Sequence, residues 1–277
     1  MRVTGNLRPA TRGVDARGSD PVDNPPVLVD CHAHLGDPVF DVDRAEVLER
    51  ARRAGVGAVV TVGETLDDAR KNLALALEHP GILPAAGLYP TILEPEQADA
   101  LEALIRDNRE RLVAVGEVGL DHWKVRDEAG RALQSEIFLR FIRLAGELDL
   151  PLNVHSRSAG REAIALLLGA GARRVQLHAF DGRPATALAA VEAGWFFSIP
   201  PSIVRSRQKQ KLVGRLPLSC LLLETDSPVL GAEPGRRNEP SALAVARDAI
   251  AEIKGLPRDE VTAAVIDNTR RLYRLAT

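Results

Sequence analysis

The stretch "LVDCHAHLGDP", residues 28–38, opens as an apolar strand and ends in polar groups. Asp30, His32 and His34 fall at every second position. Side chains alternate faces along a strand, so these three point the same way. A carboxylate and two imidazoles on one face at the end of a buried strand are metal-seeking groups.

Reading outward, the apolar run at 27–31 is the first of eight. The others lie at 57–63, 82–88, 111–118, 151–156, 174–180, 194–199 and 220–226. Between them come segments with helical spacing, among them "DRAEVLERARRAG" (43–55), "SEIFLRFIRLAGELDL" (135–150) and "PATALAAVEAG" (184–194). Continuous rather than alternating apolar runs fit parallel strands covered on both faces. Eight strands joined by helical crossovers predict an α/β fold, a (β/α)8 TIM barrel, with a doubly wound open sheet as the alternative. Two further helical segments, "PSALAVARDAIAEIKG" and "PRDEVTAAVIDNTRRLYRL", follow the eighth run.

The chain has 277 residues, 45% apolar and 27% charged, with a net charge of −2. That balance supports a large core and gives no sign of a strongly basic nucleic-acid-binding module. Residues 1–26 carry Pro, Gly, Arg and Asp without apolar patterning and are expected to form a flexible extension. Residues 27–277 are expected to form one domain. The two cysteines, Cys31 and Cys220, lie in strand-like runs; a reducing cytoplasm suits them better than a disulfide framework. No apolar stretch is long enough to span a membrane.

Polar residues recur at the C-terminal ends of the strands. His32 and His34 follow the first, Glu117 the fourth, His155 the fifth, His178 the sixth and Asp226 the eighth. In a barrel these ends meet at one rim, where barrel active sites lie. Four of the six histidines take part; His79 and His122 do not. A lone strand-end histidine is ordinarily a structural residue, but six candidates at the same end of their strands are not explained by packing. Nitrogen and oxygen ligands without thiolate suit Zn, Mn, Co or Mg. Six ligands exceed one tetrahedral ion and suit two ions sharing a carboxylate.

The motifs "VDCHAHL", "VGEVGLD", "LPLNVHSRSA", "LHAFDG" and "LLLETDSP…RNEP" occur in this order. Together they resemble the TatD family of metal-dependent deoxyribonucleases over about residues 27–275. The stretch "HAFDGRP…GWFFSIPPSIVRSRQKQKLV" is most similar to a subgroup found also in vertebrates. The resemblance implies a TIM barrel of the metal-dependent amidohydrolase type with two divalent ions (Zn, Mn or Mg). It implies that His32, His34 and Asp226 hold one ion, His155 and His178 the other, and that Glu117 bridges them. Tyr89, in "GLYP", stands where many relatives carry histidine; it is a poor metal ligand but can donate a hydrogen bond to substrate.

The resemblance implies a phosphodiester substrate, DNA in particular, cleaved as by a 3′–5′ exonuclease. Asp226 and Glu117 are the candidate catalytic carboxylates, Asp226 as proton acceptor beside the attacking water or, alternatively, as a ligand alone. Arg157, two residues beyond His155, and Arg237, in the loop after the eighth strand, are candidate phosphate contacts. Arg205 heads a basic run with Arg207, Lys209 and Lys211 that can hold a nucleic-acid backbone, though such runs are commonly just a solvated helix start. Trp123 and His122 are positioned either to stack on a base or to pack locally. Two other functions stay open: an amidase, lactonase or aminoacyl-tRNA deacylase on the same barrel, and a non-catalytic metal-binding or partner-binding barrel. No lysine closes any strand and the fourth ends in Glu117, which favours the nuclease reading over the amidase-like one.

Overall fold

The computed structural model describes residues 27–275; the extension expected over 1–26 lies outside them. The strands are β1 (Leu28–Ala33), β2 (Val56–Thr61), β3 (Ile82–Ala86), β4 (Ala114–Asp121), β5 (Leu152–Arg157), β6 (Val175–His178), β7 (Phe196–Ile199) and β8 (Leu221–Leu223). They pair in parallel in strict sequence order. Helices α1 (Arg44–Arg53), α2 (Leu66–Glu78), α3 (Pro95–Asp107), α4 (Glu128–Leu148), α5 (Gly160–Gly169), α6 (Pro184–Glu192) and α7 (Arg207–Arg215) alternate with them. Two more, α8 (Leu243–Lys254) and α9 (Arg258–Tyr273), follow β8. This is a (β/α)8 barrel, and all eight apolar runs of the sequence became its strands.

Local chemistry sets the boundaries. Thr65 and Asp68 form a reciprocal capping box at the start of α2, with both capping bonds at 3.1 Å. Asp127 caps α4 by accepting from Gly130 N at 2.7 Å, and Ser206 caps α7 by accepting from Lys209 N at 3.3 Å. The main core lies between strands and helices; Phe138 and Phe141 of α4 are among its largest buried side chains. Leu272 and Tyr273 of α9 pack in a second cluster with Cys31, Val60 and Leu222. Both cysteines are free and buried.

The ring is joined between β1 and the segment after β8, which is only three residues long as a regular strand. Asp226 N donates to His32 O at 2.9 Å and His34 N donates to Ser227 O at 2.7 Å. Asp30 shares a face with the histidines in the sequence pattern, but its side chain serves this seam. It accepts from Thr225 N at 2.9 Å and from the Thr225 hydroxyl. Burial pushes its carboxyl up to about 8 despite these bonds, so it holds its proton at neutral pH.

β4 approaches β5 closely where both carry site residues. Between the pairs Val115–Leu152 and Val118–Val154, two residues of β4 (Gly116, Glu117) lie opposite one of β5 (Asn153), a bulge in the ladder. Gly119 sits at φ +146°, and a Cβ there would lie 1.9 Å from His155 O. Gly119→Ala is therefore expected to destabilise the fold by at least about 3 kcal/mol, read from chemical denaturation. A midpoint close to that of the unmodified protein would contradict this close approach.

Candidate metal centre

All six strand-end candidates meet at one mouth of the barrel. His32 is on β1 and His34 just beyond it; Glu117 is on β4, His155 on β5, and His178 closes β6. Asp226 lies past β8, at φ +54°. Ser158 and Ala179, in the loops after β5 and β6, are also left-handed, at φ +55° and +42°. Such backbone costs on the order of 1 kcal/mol per residue, and its clustering on this rim is characteristic of a functional site.

The ligand-type atoms fall into two groups. His32 Nε2 lies 3.3 Å from His34 Nε2, and both lie 3.4 Å from Asp226 Oδ1. His155 Nδ1 lies 3.3 Å from His178 Nε2, and Glu117 Oε1 is 2.8 Å from the first and 3.0 Å from the second. The other oxygen of Glu117, Oε2, faces the first group, at 4.0 Å from His32 Nε2 and 3.8 Å from His34 Nε2. It is buried and has no hydrogen-bond partner. A buried anionic oxygen without a donor is costly, and a cation between it and the two imidazoles removes that cost. The residues thus fit divalent metal.

Two imidazoles, His32 and His155, are backed by an acceptor on the far side, and the other two face a carboxylate at longer range. Asn153 Oδ1 lies 2.8 Å from His32 Nδ1, while Asn153 Nδ2 donates to Cys31 O at 3.0 Å. That orientation of the amide assigns the proton to Nδ1 and leaves the Nε2 lone pair toward the centre. Asp121 Oδ2 lies 3.1 Å from His155 Nε2. Glu224 Oε2 lies 3.6 Å from His178 Nδ1, and Glu224 itself accepts from Ala179 N and Ser198 Oγ. Glu64 lies 3.9 Å from His34 Nδ1. The sequence reading singled out none of these four. Asn153 carried a signal, two residues before His155 on the same face of β5. Glu224 carried another, a carboxylate inside the apolar run "CLLLETD".

Without an ion, imidazoles and carboxylates neutralise one another. Burial alone would raise the Glu117 carboxyl, but the imidazoles of His178 and His155 hold it well below its usual range. Asp226 is likewise held low by His32 and His34 against its burial. Burial opposes charge on the histidines too, yet Asp226, Glu117 and Glu64 carry His34 up to about 9, and Glu117 and Glu224 raise His178.

A cleft of about 420 Å³ opens above these groups. Arg157 and Tyr89 line it. The Arg157 guanidinium rests 3.9 Å from the ring centre of exposed Trp123, and the Tyr89 ring meets His155 edge-on at 5.1 Å. Arg237 does not line the cleft; Asp43 holds it through two bonds of 2.8 and 2.6 Å. Arg205, also outside the lining, is exposed and donates to Gly231 O at 3.3 Å. Of the basic run, Arg205, Arg207 and Lys211 are exposed, whereas Lys209 is buried in the cleft wall.

A (β/α)8 barrel with this cluster of imidazoles and carboxylates at its strand ends belongs to the class of barrel metal-dependent hydrolases. Residues 29–274 match the family described as TatD related DNase. The chain is 46% identical over 258 residues to human deoxyribonuclease TATDN3, covering 89% of this chain and 94% of that one. It is 32% identical over 257 residues to the Bacillus subtilis metal-dependent hydrolase YabD, covering 90% and 100%. The crystal structure of the Escherichia coli TatD homologue YJJV superposes with a TM-score of 0.84 at 28% identity, covering 90% of this chain and 98% of that one. The chain belongs to the TatD family of metal-dependent hydrolases. Among the described residues no helix is long and apolar enough to cross a membrane.

The raised histidines give a pH dependence. A metal needs neutral imidazole, so it must displace the protons these residues hold. Net proton release is expected when a divalent ion binds at pH 7, with apparent affinity falling as pH drops below about 9, the value for His34. The same raised value stabilises the ion-free fold below the unfolded histidine range, near 6.5, and that contribution is lost as pH rises through about 9. Calorimetric titration in buffers of different ionisation enthalpy reads the proton count; a heat independent of buffer would contradict it. Asn153→Ala, which frees the His32 ring, is expected to weaken metal binding roughly 10–100-fold in the same titration.

Proposed function

We propose that this protein is a two-metal phosphodiesterase acting on DNA, a 3′–5′ exonuclease. In this reading His32, His34 and Asp226 would hold one divalent ion, His155 and His178 the other, and Glu117 would contribute to both sites. The observation that carries it is the division of the Glu117 carboxylate. Oε1 faces the His155–His178 pair and the orphaned Oε2 faces the His32–His34 pair. The printed name of the human relative, a deoxyribonuclease, supports DNA as substrate.

When bound, a pair of divalent ions lowers the pKa of water toward neutrality and offsets negative charge developing on a phosphoryl group. The chain's own residues supply the rest. Asp226, held ionised by His32 and His34, accepts the proton of the attacking water. Its backbone bond to His32 O fixes where that carboxylate sits. Arg157 lies on the cleft wall with its guanidinium against Trp123, ready for phosphate oxygens. Tyr89 offers a hydroxyl on the cleft wall. Asp121, Asn153 and Glu224 keep the imidazoles oriented while charge redistributes in front of them.

Single-stranded DNA labelled at either end, offered to protein reconstituted with Zn, Mn, Mg or Co, tests the reading. Release of mononucleotides from the 3′ end is expected, and Asp226→Asn is expected to lower kcat by at least about 100-fold. Failure to release nucleotides with any of these ions would overturn it.

A further inference from the structure

Lys209 is placed in a way that a solvated basic run does not explain. Its side chain is 8% exposed, yet among the described residues it forms no ion pair; Nζ donates to the carbonyl oxygen of Ala179 at 3.0 Å. It sits in the first turn of α7, whose Ser206 cap it completes. That is the positive end of a helix, where a cation is unfavourable and an anion is favoured. No acidic residue occupies that turn. Burial depresses its pKa, and Glu224, Asp181 and Asp226 act only from a distance. A buried cation at a positive helix end, facing an open cleft, feels those three carboxylates but has none in contact with it.

The cleft bounds what can make that contact. At about 420 Å³ it admits a ligand of nucleotide size, larger than the phosphoryl group the two-metal reading puts at the ligand cluster. The wall that carries Lys209 is also fixed. Gln208 donates to Phe180 O at 3.2 Å and to Gly182 O at 2.8 Å, pinning the start of α7 to the loop after His178. Asp181 in that loop accepts from Ser158 N at 2.9 Å, tying it to the loop after β5. Nζ is therefore held at a set position beside the centre rather than on a mobile arm.

We infer that Lys209 binds the flanking phosphate of a nucleotide ligand, the one next to the phosphate at the ligand cluster, and so selects substrates that carry both. This rests on the phosphodiesterase reading for the identity of the ligand but not for its test, which measures binding alone.

The test compares thymidine 3′,5′-bisphosphate with each thymidine monophosphate by calorimetry on the metal-loaded protein. The unmodified protein is expected to bind the bisphosphate at least about 10-fold more tightly than the better monophosphate, a margin that charge-assisted contact supplies. Lys209→Gln keeps a donor for Ala179 O but removes the charge; Lys209→Met removes both. Each is expected to lose that preference, and thermal melting shows whether either fold is compromised. A preference retained in Lys209→Gln, or absent from the unmodified protein, overturns the inference. DNA cleavage without that preference leaves the nuclease reading intact and removes Lys209. The preference without DNA cleavage does the reverse.

Discussion

Two backbone hydrogen bonds, Asp226 N to His32 O and His34 N to Ser227 O, join the first strand to the segment that follows the last. Everything at the mouth depends on them. They bring a carboxylate nearly two hundred residues away to the two imidazoles at the end of β1, and they stand in for regular pairing where β8 has already ended. The buried Asp30 carboxyl, bonded to Thr225, reinforces the same join from below. A pair of strands that met one residue out of step would turn Asp226 to the wrong face, because side chains alternate along extended chain.

The second constraint is electrostatic. Glu117, His32, His155, His178 and Asp226 are buried together, a concentration of titratable groups that an apolar barrel does not tolerate unless each is matched. The match is arranged in two tiers. Imidazoles and carboxylates face one another across the centre; Asn153 and Asp121 hold the far nitrogens of His32 and His155, and Glu224 faces that of His178 at 3.6 Å. The outer tier decides which ring nitrogen carries the proton, and through it which lone pair is free. Glu117 departs from this order: one oxygen is matched by His155 and His178, the other by nothing in the chain.

How much of this was legible in the sequence follows from what kind of signal each residue carries. The strands were legible because parallel strands covered on both faces write continuous apolar runs. The six mouth residues were legible because each interrupts such a run at its C-terminal end. Asp121 lies four residues past Glu117 with nothing to mark it, and Glu224 sits two residues before Asp226, shadowed by it. Arg237 shows the opposite failure. Its partner Asp43 lies 194 residues away, and no local pattern reports that its charge is already spoken for. Lys209 looked like its neighbours Arg205, Arg207 and Lys211, since burial of one lysine in a basic helix start depends on the loop it docks against.

The seam has a thermodynamic corollary. His32 and His34 stand on one side of it and Asp226 on the other, so a cation shared by the three, as proposed, would also be a rivet between the beginning and the end of the barrel. Filling the mouth and holding the ring shut would then be one equilibrium, in which whatever strips the ion also loosens the join.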